Sequence, residues 1–266
     1  YYCEMEKPGR ILLAYGGLVG IHESIESGEL DMDTLTSREA ESLFRYSLYD
    51  WNRYPDWFGT LVGKQSALVK GQIEYCLNME WGKQDIDGAG MDMFRRLQFA
   101  EVEMNRLAIP RLMQLVEGDE PKSKLVLEMA WRIILNNSKK ISGGDARLSA
   151  LIACKLPHYD RDSKTYAYAL ITWLYAGLGS AMDYLEAQEV ADPLSVRKRM
   201  HNIFATYSTH SDDTLTRLWR SGNRGKDDQY IRYLRLLYRC VHPTADVPTP
   251  TGCFSPEGPW AAQEYR

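Results

Sequence analysis

Residues 36–55 read Thr36-Ser-Arg-Glu39-Ala40-Glu-Ser-Leu43-Phe44-Arg-Tyr-Ser47-Leu48-Tyr-Asp-Trp51-Asn-Arg-Tyr54-Pro55. Thr36 followed three residues later by Glu39 is the pattern of a capping box, in which each side chain satisfies a backbone amide of the other residue. From Ala40 onward Leu43, Phe44, Ser47, Leu48 and Trp51 recur at steps of three and four. That is the period of a helix with one buried face. Tyr54-Pro55 ends it, because the residue before proline is driven out of the α region. A helix with one apolar stripe needs a neighbour to cover it, so this stretch asks for more helices on either side.

The sequence supplies them. Gln65 to Trp81 is the next predicted helix, with Leu68, Ile73, Leu77 and Trp81 as its inner residues, and Gly82 to Gly90 is a loop. Met91 to Gly118 holds two helical pieces, and Glu120-Pro121 starts another that reaches Asn136-Asn137. After the break at Ser142-Gly143-Gly144, helices are expected at 145–155, 162–176, 180–190, 193–207, 212–220 and 227–241. Aspartates and prolines recur at their starts, where a carboxylate meets the free first amides and a missing N–H costs nothing. Strand signals are scarce. Arg10 to Tyr15 reads as a short strand or as an apolar helix end before a helix-to-helix turn at Gly16-Gly17.

A weak internal repeat runs through this series. Arg106-Leu107-Ala108 answers Arg147-Leu148-Ser149 at an offset of 41, and Trp131 answers Trp173 at 42. Trp219 lies 46 further on and Trp81 lies 50 before Trp131. Helix-pair repeats of the HEAT and armadillo kind have periods of roughly 40–47 residues. Two short amphipathic helices cannot bury their apolar faces alone, whereas stacked pairs share a continuous core. The predicted fold class is all-α, a superhelical array of antiparallel helix pairs (a HEAT/armadillo-like α-solenoid), with an irregular helical bundle as the alternative. The sub-blocks fall at about 1–90, 91–191 and 192–241. Residues 242–259, with five of the chain's eleven prolines, form a connector, and 260–266 the start of a further helix. Because the chain begins at Tyr1 and stops just inside that helix, it reads as a piece of a longer protein.

Composition bounds the rest. The 266 residues are 44% hydrophobic and 26% charged, as in an ordinary globular domain, which excludes a disordered or collagen-like chain. Cys3, Cys76, Cys154, Cys240 and Cys253 are odd in number and scattered, with no C-x-x-C pair. They read as free thiols in a reducing compartment, and a cytoplasmic location follows. Thr165 to Met182 carries no charge over 18 residues, the length of a spanning helix. Its tyrosines and threonines, and Gly177 and Gly179, point instead to a turn between two buried helices, so no membrane is expected.

Catalytic patterns fail on inspection. Gly59-Thr-Leu-Val-Gly63-Lys64-Gln65 imitates a phosphate-binding loop but has three residues between its glycines and no hydroxyl after the lysine. Gly16-Gly17-Leu-Val-Gly20 has the wrong spacing for a dinucleotide turn. His22, His158, His201, His210 and His242 form no metal-ligand spacing, and His158 with Asp160 is read as a polar loop before it is read as a catalytic pair. No catalytic, cofactor-binding or metal-binding residue is assigned to this segment.

Charge is unevenly spread. Residues 1–120 carry 21 acidic and 12 basic side chains, a net of −9, while 192–239 carry 10 basic and 5 acidic, a net of +5. The basic segment 197–239 opens with Arg197-Lys198-Arg199. It continues with the candidate partner-binding residues Arg217, Arg220, Arg224, Lys226, Arg232, Arg235 and Arg239, interleaved with Tyr230, Tyr233 and Tyr238. Arg232, Arg235 and Arg239 share one helix face. Such a face binds phosphate or an acidic protein patch, or else pairs with acidic neighbours of its own fold.

One set of residues carries a family resemblance. It comprises Tyr46-Ser-Leu-Tyr-Asp-Trp51-Asn-Arg-Tyr-Pro55-Asp-Trp57-Phe58, Val69 through Trp81, Met93-Phe-Arg-Arg-Leu97 through Leu107-Ala-Ile-Pro110-Arg-Leu112, and Val247-Pro-Thr-Pro-Thr-Gly252-Cys-Phe through Arg266. It resembles the HEAT- or TPR-like helical region that follows the nucleotide-binding module in bacterial STAND/NACHT-type signal-transduction NTPases, including anti-phage defence proteins. The likeness covers about residues 40–136 and 240–266. It implies a non-catalytic sensor or scaffold that binds a macromolecular trigger, a phage-encoded protein, and promotes oligomerisation. ATP and Mg would belong to the rest of the parent protein, as would any attached effector enzyme; the partners would be the trigger, those other domains and further copies of the chain. The alternative is a nucleic-acid-binding helical repeat that uses segment 197–239.

Overall fold

The computed structural model of the protein describes residues 8–49, 54–83, 92–100, 102–137, 144–197, 199–200 and 227–241. The chain is all-α, with no strand among the described residues. Its helices are α1 (Pro8–Glu26), α2 (Ser37–Ser47), α3 (Phe58–Lys64), α4 (Ser66–Gly82), α5 (Asp92–Phe99), α6 (Val102–Glu117), α7 (Lys124–Asn137), α8 (Gly144–Lys155), α9 (Lys164–Ala176), α10 (Leu178–Ala191) and α11 (Asp227–Val241). Residues 193–197 and 199–200 are also helical. The chain divides into two compact units, Tyr1–Lys140 and Ile141–Arg266.

In the first unit the capping box forms as expected. The Thr36 amide donates to Glu39 Oε2 at 2.8 Å and the Glu39 amide donates to Thr36 Oγ1 at 3.3 Å. These bonds, with the Thr36 hydroxyl first among them, hold the Glu39 carboxyl below its usual range. Ala40, Leu43, Phe44 and Ser47 form the buried stripe of α2, and the helix closes at Leu48. Trp51 lies outside the described residues. On α4 the inner row is Val69, Ile73, Leu77 and Trp81, with Glu80 buried among them. Four-residue steps back from Trp81 arrive at Val69, so Leu68, expected inside, is only half-buried.

Three further elements depart from expectation. Arg10 to Tyr15 is neither strand nor helix end, because α1 runs on through Gly16, Gly17 and Gly20. The chain turns later, at Gly28, whose φ of 76° suits glycine. Gly17 is where α1 meets α2: a Cβ there would lie 2.5 Å from Cε1 of Tyr46. Residues 58–64, inspected only as a false phosphate loop, form the short helix α3 and bury Phe58, Leu61 and Val62. Helix α7 begins at Lys124, later than Glu120-Pro121.

Packing in this unit is layered. Each helix from α1 to α6 touches its successor, and α3 also reaches α6; in addition α2 packs on α4, α4 on α6 and α5 on α7. Helices α4 and α6 run in the same direction. Arg111 donates to Asn78 Oδ1 at 2.8 and 2.6 Å, and further along both segments Trp81 Nε1 donates to the carbonyl of Asp119, just past the end of α6, at 3.0 Å.

In the second unit α8 packs on α9, α9 on α10 and α10 on α11. The uncharged run 165–182 is two helices, broken at Gly177, and nearly every side chain of α9 is buried. Among the described residues no helix is long and apolar enough to cross a membrane. Ser163 caps α9 through the Tyr166 amide at 3.1 Å. Trp173 Nε1 donates to Ser149 Oγ (2.8 Å) and Ser180 Oγ (3.1 Å), tying α8, α9 and α10 at one point.

Candidate functional site

The basic face predicted for residues 217–239 is only partly within the described structure. Arg217, Arg220, Arg224 and Lys226 lie outside the described residues. Arg232, Arg235 and Arg239 lie on α11, as their spacing requires. This helix buries Tyr233, Leu236 and Cys240, three and four residues apart, and its arginines flank or oppose that row.

Two of the three guanidiniums are engaged by α10. Arg232 donates Nε to Glu186 Oε1 (3.1 Å) and Nη2 to Glu186 Oε2 (2.6 Å) and Asp183 Oδ1 (2.7 Å). Arg239 grips both oxygens of Glu189, at 2.8 and 2.6 Å. The hydrogen bonds from Arg232 hold the Glu186 carboxyl below its usual range, and those to Glu186 and Asp183 raise Arg232 further. Glu189 does the same to Arg239. Burial pushes the Cys240 thiol up to about 11. Arg235 is exposed and makes no ion pair among the described residues. Gly179 against Gln229, Glu186 against Arg232 and Glu189 against Arg239 set α10 and α11 side by side in one direction.

Arg199, the last of the basic triplet, turns inward. It is buried, donates Nη2 to Ser195 Oγ at 2.6 Å, and lies over the Tyr166 ring with its Cζ 5.9 Å from the centroid. Tyr166 in turn meets Tyr184, hydroxyl to hydroxyl, at 3.2 Å. Burial drives the Tyr166 hydroxyl above its usual range. These groups lock residues of α9, α10 and the following turn.

His158 and Asp160 are not brought together by any hydrogen bond or ion pair. Asp160 instead builds the turn before α9, accepting the Asp162 amide at 3.1 Å on Oδ1 and the Ser163 hydroxyl at 2.6 Å on its carbonyl. Gly59 to Lys64 is helical, so its amides point along a helix and cannot cradle phosphate. Among the described residues no three His, Cys, Asp or Glu side chains are arranged to hold a metal.

Two features had no clear signal in the sequence. The first is a buried polar knot in the first unit. The Glu80 carboxylate accepts the amides of Met93 (2.9 Å) and Phe94 (3.2 Å), closing the open start of α5. Arg96 donates to the carbonyls of Ser47 and Leu48, closing the end of α2, and lies 5.6 Å over the Tyr54 ring. The second is a set of exposed large apolar side chains: Tyr75 and Met79 on α4, and Ile231, Leu234 and Tyr238 on α11. What these sites do chemically is hold helices together or offer surface. No known protein family, curated protein or solved structure matches the chain.

Proposed function

We propose that this chain is the helical-repeat sensor or scaffold region of a STAND-type NTPase, with association rather than turnover as its output. The observation that carries the reading is the next-but-one contact of helices in the first unit: α2 on α4, α4 on α6 and α5 on α7. Stacked helix pairs share a core in this way, and each added pair extends the outer surface. A surface built on packed helices is preformed, so binding costs little ordering entropy. Tyr75 (60% exposed) and Met79 (50%), one turn apart on α4, are the kind of side chain that anchors protein interfaces.

In this reading the partner is a macromolecular trigger, a phage-encoded protein. The nucleotide switch, with its ATP and Mg, sits in another part of the parent protein. Binding moves such a switch only when the trigger prefers one of its states. The nucleic-acid alternative loses ground because α10 already neutralises Arg232 and Arg239.

The test is titration of the purified chain with candidate phage structural proteins by calorimetry, repeated with Tyr75→Ala and Met79→Ala. A trigger should bind the parent chain, and each substitution should weaken it by about 1–2 kcal/mol while the melting temperature holds. If the trigger that activates the parent protein binds the doubly substituted chain as well as the original, this surface is not the sensor.

A further inference from the structure

We propose that the face shared by α4 and α6 in the first unit docks an acidic, apolar segment of a protein partner, with a side-chain carboxylate of that segment on Arg111 and a large apolar side chain against Tyr75 and Met79. The proposal rests on reading Tyr75 and Met79 as anchors of a binding surface, and it adds the chemistry of what they bind.

Arg111 is a cation held in place by neutral groups. Its Nε and Nη2 donate to Asn78 Oδ1 at 2.8 and 2.6 Å, and its Nη1 donates to Gln114 Oε1 at 2.9 Å. A guanidinium carries five N–H donors in a rigid plane. Bonds to two amide oxygens fix that plane and leave donors over. The other cations of these helices are already matched: Lys70 meets Glu74 at 3.8 Å and Arg106 meets Glu103 at 3.5 Å. Among the described residues, Arg111 is the one cation of α4 and α6 without a carboxylate partner.

What lies beside Arg111 is apolar. Asn78 follows Tyr75 by three residues and precedes Met79 by one, so its bonds bring the guanidinium up to the exposed side of α4 where Tyr75 and Met79 stand. Gly71 and Gly82 continue that side at steps of four and three, and a Cβ on either would meet nothing within 4 Å. The two large side chains therefore rise between two low points of the helix, next to a cation already aimed. Aromatic residues, Met and Arg are the types that interface cores favour. A cation fixed before binding spares the cost of ordering a long side chain.

A protein segment fits this group better than a nucleic-acid strand. A single carboxylate meets the donors left on Arg111 in charge-assisted hydrogen bonds, which are about twice as strong as neutral ones. A phosphate chain brings a charge at every nucleotide. Glu74, Glu117 and Asp119 stand on or just beyond the same two helices and would repel it.

Selection of a displayed random-peptide library on the 266-residue chain tests this. Enriched peptides should carry Asp or Glu close to a large apolar residue. The same selection on Arg111→Glu should enrich Lys or Arg at that place, with the apolar residue kept. For a peptide selected on the original chain, fluorescence anisotropy should show affinity about tenfold weaker with Arg111→Gln. Changing the peptide's own acid to its amide should weaken it equally, and both changes together should cost little more than one. The change in the peptide leaves the fold untouched, so the contact is read even where Arg111→Gln lowers the melting temperature. No enriched peptide, enriched peptides without a carboxylate, or an acidic peptide that binds Arg111→Gln as well as the original would each overturn the proposal. So would a single-stranded oligonucleotide that binds more tightly than any peptide and loses its affinity with Arg111→Gln. Peptides that need Tyr75 and Met79 but not Arg111 sink the carboxylate and spare the two anchors. A natural trigger indifferent to Tyr75 and Met79 sinks their role as the sensor and leaves the peptide result standing.

Discussion

Glu80 is a charged residue on the inner side of α4, only 6% exposed, and its two amide partners on α5 explain why it is there. Replacing it with Ala leaves buried amides unpaired and should cost about 1–3 kcal/mol in urea unfolding, more than Glu74→Ala at a half-buried position of the same helix. The cysteines divide by burial. Cys154 is exposed, Cys76 half-buried and Cys240 buried with its thiol pushed up to about 11. Since the thiolate is the reactive form, among these three described cysteines Cys154 should be alkylated first at pH 8 and Cys240 last, as mass spectrometry of time points would show. Thr36 and Glu39 were readable from the sequence because a cap is a local device. Glu80 was not, since its partners are the amides of α5, thirteen and fourteen residues on across a loop.

At the scale of the element, the break between α9 and α10 depends on Gly177. A Cβ there would come within 2.5 Å of Ser149 Oγ and 2.9 Å of Ser180 Oγ, the hydroxyls that receive the Trp173 indole N–H. Gly177→Ala should therefore destabilise by about 1–3 kcal/mol. Gly71, mid-helix in α4 with open space around it, should instead gain up to about 1 kcal/mol as Ala. Thermal melts of the two variants should move in opposite directions. The pairing of α10 with α11 is acid-sensitive. Glu186 has a folded-state pKa held below 4.5 by Arg232, so its contribution is complete above that value and fades as pH falls through the depressed one. Amide protection along α11, relative to the intrinsic exchange rate at each pH, should fall as pH drops through the depressed Glu186 value, and Glu186→Gln should show the lower protection already at neutral pH. The sequence announced α9 and α10 through Asp162, the glycines and the missing charges. It concealed α3, whose seven residues include two glycines and two β-branched side chains. It also misplaced the first turn, because Gly16 and Gly17 look like breakers until Tyr46 is known to lie against Gly17.

For the whole molecule, the charge map seen along the sequence is not the map seen in space. Ten basic side chains between 192 and 239 left two readings, a face that binds phosphate or an acidic partner and a face paired with acidic neighbours of its own fold. In the fold Arg199 is buried, and Arg232 and Arg239 meet carboxylates that lie 46 to 50 residues away. Proximity in space was not legible because nothing in α10 marks Asp183, Glu186 and Glu189 as its inner edge. Among the described residues Arg235 is the one guanidinium of α11 without a carboxylate partner, so Arg235→Gln should leave duplex-DNA binding at low salt no weaker than before, measured by fluorescence anisotropy. A cationic reader would lose about one unit of salt slope per phosphate contact removed. All-helical class was legible from caps and period, since both repeat many times. The layering of helices was not, because it is written only in which stripes meet.

Nearly every side chain of α9 is covered, from Thr165 to Ala176. Selection has little freedom to vary that helix, where any polar or oversized replacement meets packed neighbours. Variation has to accumulate on α1, α4 and α11 instead. Natural relatives, once aligned, should differ most at the solvent positions of those three and hardly at all along α9.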